Sequence, residues 1–174
     1  MITSRDLLAL AAGSIGPEAS PAALSRSIST LYYALFHAVL ETARARVKDC
    51  THPVILQHYI ASFDHLALRD TALQVSALVE PTRRKALKGG SLAPWTSLLP
   101  STPSAALTLV CETFPKMQQL RHQADYHPEW TVTCDEAETY KEGTAAALQA
   151  WRSIEDSDEA IVFLFASLGV LKFR

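Results

Sequence analysis

Residues 120 to 128 read LRHQADYHP, placing Arg121, His122, Asp125, Tyr126 and His127 within nine positions. An arginine grips phosphate with a planar, permanently charged fork, and a histidine exchanges protons near neutral pH. Together they suffice for metal-free RNA cleavage. An imidazole takes the proton of a ribose 2′-OH or protonates the leaving oxygen, while the guanidinium stabilises charge on the crowded phosphoryl group. The same residues admit a plainer reading, in which Arg121 pairs with Asp125 one turn away, Tyr126 packs inward and the histidines cap a helix end. On an uninterrupted helix Arg121 and His127 would lie about 240° apart. Pro128 ends the helix and frees His127 to turn back, or a second subunit supplies the missing partner.

Helical elements must position these groups, because apolar residues recur at three-four spacing and nothing alternates with period two. A short amphipathic helix is predicted over about residues 3 to 13. Ser20 then caps a long helix with Pro21 in its first turn. Its stripe of Leu24, Ile28, Leu31, Leu35, Ala38 and Thr42 faces a core. Residues 51 to 79 are helical in pattern with an unclear middle, and about 80 to 103 form a long irregular connection with one helical turn. A helix then starts at Thr102 or Ser104, is kinked or interrupted at Pro115, and ends near Asp125 or Tyr126. Thr133 with Glu136 makes a capping box for the next helix. Ser157 caps an apolar last helix that is either buried or part of a subunit interface. The fold class is all-α: an antiparallel up-and-down bundle of five to seven helices in a single domain, residues 1 to 174.

Two segments together resemble the signature of HEPN-domain proteins. Tyr32, Tyr33, Ala34, Phe36, His37 and Ala38 are similar to the YYAxFHA stretch of their long early helix. Arg121, Ala124, Asp125 and Tyr126 are similar to the RxxADY stretch of one branch. The resemblance covers about residues 20 to 155. It implies a HEPN-like bundle and a metal-independent endoribonuclease built where two bundles meet in a homodimer. Arg121 would hold the scissile phosphate, His127 would transfer protons and His122 would orient the pair, supported by Asp125, Tyr126, Tyr33 and His37. It further implies RNA as substrate and a toxin–antitoxin or defence setting, with an antitoxin or nucleotidyltransferase as partner. Glu129 stands where nucleotidyltransferase-paired toxins carry a tyrosine, so a modified-tyrosine switch is not implied. The alternative is a non-catalytic helical module that binds a protein or nucleotide partner.

Composition narrows the field. Hydrophobic residues make up 48% of the 174, which excludes a disordered chain. The net charge of −2 gives no global pull toward nucleic acid, so RNA binding needs a local patch. Arg83, Arg84, Lys85 and Lys88 offer one, and Arg44, Arg46 and Lys48 another. Cys50, Cys111 and Cys134 are scattered and odd in number, which fits a reducing compartment. The first apolar run is short for a signal sequence and no stretch is long enough to span a membrane, so a cytoplasmic location is expected. No glycine-rich phosphate loop or nucleophile-elbow motif is present, and no cofactor is expected. His58 and His65, seven apart, read as one polar face of the second long helix and not as zinc ligands, and no metal is expected.

Overall fold

The computed structural model of the protein describes residues 2–49, 52–87 and 89–171. Among them there are seven α-helices and no strand. They are α1 (Ser4–Gly13), α2 (Pro21–Arg46), α3 (Pro53–Ala61), α4 (His65–Val79), α5 (Ala105–Tyr126), α6 (Cys134–Ile154) and α7 (Asp158–Ser167). Two short 3-10 turns, Pro81–Ala86 and Pro94–Leu98, lie in the connection between α4 and α5, where the sequence indicated one turn.

Helix α2 is central and packs against α1, α5 and α6, while α4 packs against α5 and α7. The reason is its stripe: Leu24, Ile28, Leu31, Leu35, Ala38 and Thr42 are all buried. The caps fall where the chemistry places them. Ser20 accepts from the Ala23 N–H, Ser104 from Leu107, Ser157 from Ala160, and Thr133 with Glu136 forms the reciprocal box. Helix α7 buries Ala160, Phe163 and Leu164 within the same core and leaves Phe165 exposed. The irregular connection is anchored by Trp95, which is buried in that core.

Three expectations need correction. First, α5 is not interrupted at Pro115 but runs unbroken from Ala105 to Tyr126. A proline has no N–H, so the carbonyl four residues earlier, that of Cys111, loses its helical partner. Ser76 of α4 donates its hydroxyl to that carbonyl at 3.2 Å, in a buried setting. The tertiary contact thus supplies what proline removes. Ser76→Ala is expected to cost about 1–3 kcal/mol in urea unfolding, the penalty for an orphaned buried acceptor. In a Pro115→Ala background, where the N–H returns, the same substitution should cost less than half as much. Equal costs in both backgrounds would contradict this account.

Second, His58 and His65 do not share a helix. His58 lies on α3 and His65 opens α4, with the helix interrupted between them and α4 capped by Asp64, which accepts from Leu66 and Ala67. Third, Tyr126 does not pack inward: it is 61% exposed.

No helix among the described residues is long and apolar enough to cross a membrane. Cys111 and Cys134 are free, and burial pushes the Cys111 thiol well above its ordinary range. Cys50 and Lys88 lie outside the described residues.

Candidate functional site

Arg121 is held from three sides near the C-terminal end of α5. Its Nε lies 2.6 Å from Asp125 Oδ2, its Nη2 donates to the Tyr33 hydroxyl at 3.0 Å, and its guanidinium carbon sits 5.6 and 5.5 Å from the ring centroids of Tyr33 and Tyr126. The Nε–H has no aligned acceptor, so the contact with Asp125 is an ion pair and not a directed hydrogen bond. Asp125 is fixed in turn: Ser29 of α2 donates to its other oxygen, Oδ1, at 2.5 Å. Ser29 and Tyr33 are one turn apart on α2, so a single face of that helix meets both members of the pair. Burial works against the charge on Arg121. The Tyr33 hydroxyl and then Asp125 outweigh it and hold the guanidinium's pKa above its ordinary value.

His127 is the C-cap of α5, with extended backbone at φ −117° and ψ 94°. Its ring sits 5.5 Å from that of His122, which packs in turn at 5.1 Å against Tyr126. The departure from helical geometry before Pro128 brings His127 round to the Arg121 side. Arg121, His122 and His127 all line one groove of about 690 Å³, together with Arg69, Gln118 and Gln119. Arg69 is paired with Asp70 at 2.8 Å.

The other sequence-derived residues are distributed as follows. Tyr33 contacts Arg121 directly. His37, one turn further along α2, is half-buried with its ring 6.4 Å from that of Phe36, and lines neither this groove nor the one beside it. Arg83 is bound by Glu80 at 2.6 Å and by Glu112 of α5 at 2.8 Å. Glu112 precedes Arg121 by nine residues, about 13 Å along the helix and half a revolution round it. Arg83, Arg84 and Lys85 therefore sit away from the Arg121 groove, all three exposed.

Sequence reasoning missed a second polar group beneath the first. Tyr32 and His65 meet at 2.5 Å between the phenol oxygen and Nδ1, with the imidazole 4.1 Å from the Phe36 ring centroid. Gln118 of α5 donates to the His65 carbonyl at 2.9 Å, while its own Oε1 is buried without a partner. Burial pushes the Tyr32 phenol well above its usual range. Burial, followed by the charge of Arg121, lowers His65 from its ordinary value of 6.5. A histidine depressed in the folded state is neutral there but takes up a proton when unfolded, so stability rises with pH across this range. Stability should be full above about pH 6.5 and fall as pH drops below it. The urea midpoint at pH 5.5 is expected below that at pH 7.5, and His65→Gln should narrow the gap. A gap unchanged by that substitution would place the titrating group elsewhere.

Among the described residues no group of three His, Cys, Asp or Glu side chains converges as a metal site. The chain matches no protein-family model, and no curated protein or solved structure shows significant similarity to it.

Proposed function

We propose that this is a HEPN-like protein, an antiparallel bundle that acts as a homodimer, binds RNA at the C-terminal end of α5 and cuts it without a metal. The observation that carries the reading is that Arg121, His122 and His127 line one groove, although their sequence spacing would separate them on a straight helix. Arg121 enters with Nη2 bonded to Tyr33, the guanidinium ion-paired to Asp125, and Nη1 without a hydrogen-bond partner among the described residues. A guanidinium oriented before substrate arrives is what stabilisation of a developing phosphoryl charge requires. In the reaction an imidazole takes the 2′-OH proton, the 2′ oxygen attacks phosphorus, the bond to the 5′ oxygen breaks, and an imidazolium protonates that oxygen. His127 is the proton carrier, His122 sets its orientation, and the two-fold partner adds a second set. A cytoplasmic toxin or defence role with an antitoxin or nucleotidyltransferase partner belongs to the same reading.

A specific observation also favours a second reading, a non-catalytic module for a protein or nucleotide partner. Arg121 is already ion-paired to Asp125 and bonded to Tyr33, and in this reading its task is to lock α5 onto α2. The deciding experiment is incubation of a mixed, fluorescently labelled RNA in EDTA with wild type, Arg121→Ala and His127→Ala. Cleavage by wild type alone, leaving 2′,3′-cyclic phosphate ends, supports the ribonuclease. Identical background from all three proteins retires it in favour of the binding module.

A further inference from the structure

Beside the Arg121 groove lies a second one, of about 600 Å³, and the two meet at His127, which lines both. It runs between the N-terminal half of α2 and the turn that follows α5. Its chemistry differs from that of its neighbour. Ser29 and Thr30 bring hydroxyls, Asp125 a carboxylate, Tyr126 and Trp130 aromatic rings, and Arg26 a guanidinium. Arg26 is exposed and has no ion-pair partner among the described residues. The volume falls within the roughly 300–1,000 Å³ typical of small-ligand sites.

We infer that this groove is a ribonucleotide subsite, taking the base against Trp130 and Tyr126, the ribose beside Thr30 and Asp125, and a phosphate at Arg26. Each part of a nucleotide finds a matching partner. Aromatic faces stack bases of any identity. Thr30 donates its hydrogen to the Arg26 carbonyl and Ser29 its own to Asp125, so these hydroxyls and the carboxylate are left as acceptors for the sugar's O–H groups. An unpaired guanidinium suits a phosphate better than a lysine would, because its fork is planar. A cavity meant for an apolar ligand would need neither the free arginine nor the row of hydroxyls. Because the groove is continuous with the Arg121 groove at His127, the nucleotide is one unit of a strand whose adjoining phosphate lies at Arg121. That continuation rests on the ribonuclease reading above, whereas the nucleotide chemistry of the subsite does not.

The test is binding, followed by tryptophan fluorescence and calorimetry on the full chain, with AMP, GMP, CMP and UMP in one arm and, in the other, an RNA octamer with intact 2′-hydroxyls, checked on gels to be uncut over the titration. Trp95 and Trp151 are buried and Trp130 is the half-buried one, so quenching reports chiefly on Trp130. Arg26→Ala is expected to weaken octamer and nucleotide about tenfold, the loss of one charged phosphate contact. Trp130→Ala should weaken them roughly 5- to 100-fold, and Trp130→Phe, which keeps a ring, much less. Trp130 packs partly against the core, so the exposed Arg26 is the decisive position if Trp130→Ala does not fold. Binding sensitive to Arg26 without any RNA cleavage leaves the subsite standing and removes the ribonuclease. Cleavage that needs His127 while binding ignores both Arg26 and Trp130 does the reverse. Binding of mononucleotides but not of the octamer keeps the subsite and assigns it to a free nucleotide, overturning the strand continuation. No binding of either probe by wild type overturns the inference altogether.

Discussion

Arg121→Ala and His127→Ala are each expected to reduce RNA cleavage by roughly 100- to 1,000-fold, read as the initial rate on a labelled RNA in EDTA. The size follows from what each group supplies. Removing a preorganised donor from a developing phosphoryl charge forfeits an interaction that strengthens only in the transition state, so the loss should fall mainly on kcat. Removing the proton carrier has a similar effect through a different step, and the two losses should not add when combined, since both groups serve one event. Arg121→Lys separates charge from geometry. A lysine keeps the positive charge but cannot span the Tyr33 hydroxyl and the Asp125 carboxylate while still presenting a planar fork. Its rate should fall between those of wild type and Arg121→Ala. Tyr33→Phe removes the hydroxyl that accepts from Nη2 and leaves the ring stacked near the guanidinium, and a smaller loss is expected from the looser orientation. The outcome that would sink the scheme is cleavage by Arg121→Ala at the wild-type rate in a protein whose circular dichroism spectrum is unchanged.

Much of this arrangement follows from local rules. The α2 stripe, the Ser20, Ser157 and Thr133–Glu136 caps and the end of α5 just before Pro128 depend on neighbours within four residues, and periodicity reports on those. So does the Arg121–Asp125 pair, one turn apart on a single helix. What was not legible is what joins one helix to another. The Tyr33 bond to Arg121 spans 88 residues, the Ser29 bond to Asp125 spans 96, and Tyr32 to His65 spans 33. Nothing in the local pattern marks Ser29 as different from Ser25 or Ser27. Its role depends on the register in which α2 meets α5, which the whole core sets.

Pro115 and His65 show the same limit from the other side. Sequence rules allow an interruption at Pro115 because they take the Cys111 carbonyl as lost, and they have no means of knowing that Ser76 is waiting for it. They place His65 on one polar face with His58, seven residues earlier, whereas the helix ends between the two and the Tyr32 phenol on α2 gives His65 a partner. In each case a polar group that looks unsatisfied locally is satisfied tertiarily. In the basic run at 83 to 85, Arg83 is engaged by Glu112, a residue chosen by packing and not by proximity in sequence, while Arg84 and Lys85 stay exposed.

Trp151→Ala should have the largest effect on stability, about 3–5 kcal/mol in urea unfolding. Against a total of roughly 5–15 kcal/mol for a domain, that is a large fraction. Trp151 of α6 is 1% exposed, packs edge-on to Phe163 of α7 at 5.6 Å, and donates its indole N–H to Thr42 of α2 at 2.9 Å. It therefore ties three helices at one point. Thr42 also donates within the helix to the Ala38 carbonyl at 3.2 Å, so loss of the indole leaves its oxygen short of a donor, but its hydrogen still has an acceptor. Trp151→Phe keeps most of the buried ring and loses the N–H, and should cost about 1–3 kcal/mol. A cost for Trp151→Ala below about 1 kcal/mol would mean that α6 and α7 do not share a cooperative core with α2. The substitution also separates packing from chemistry. Thr42 lies nine residues beyond Tyr33, about 13 Å along α2, far enough that the Arg121 cluster is not in contact with it. Well below its unfolding midpoint Trp151→Ala should therefore bind and process RNA as wild type does, while Arg121→Ala, at modest cost in stability, should not.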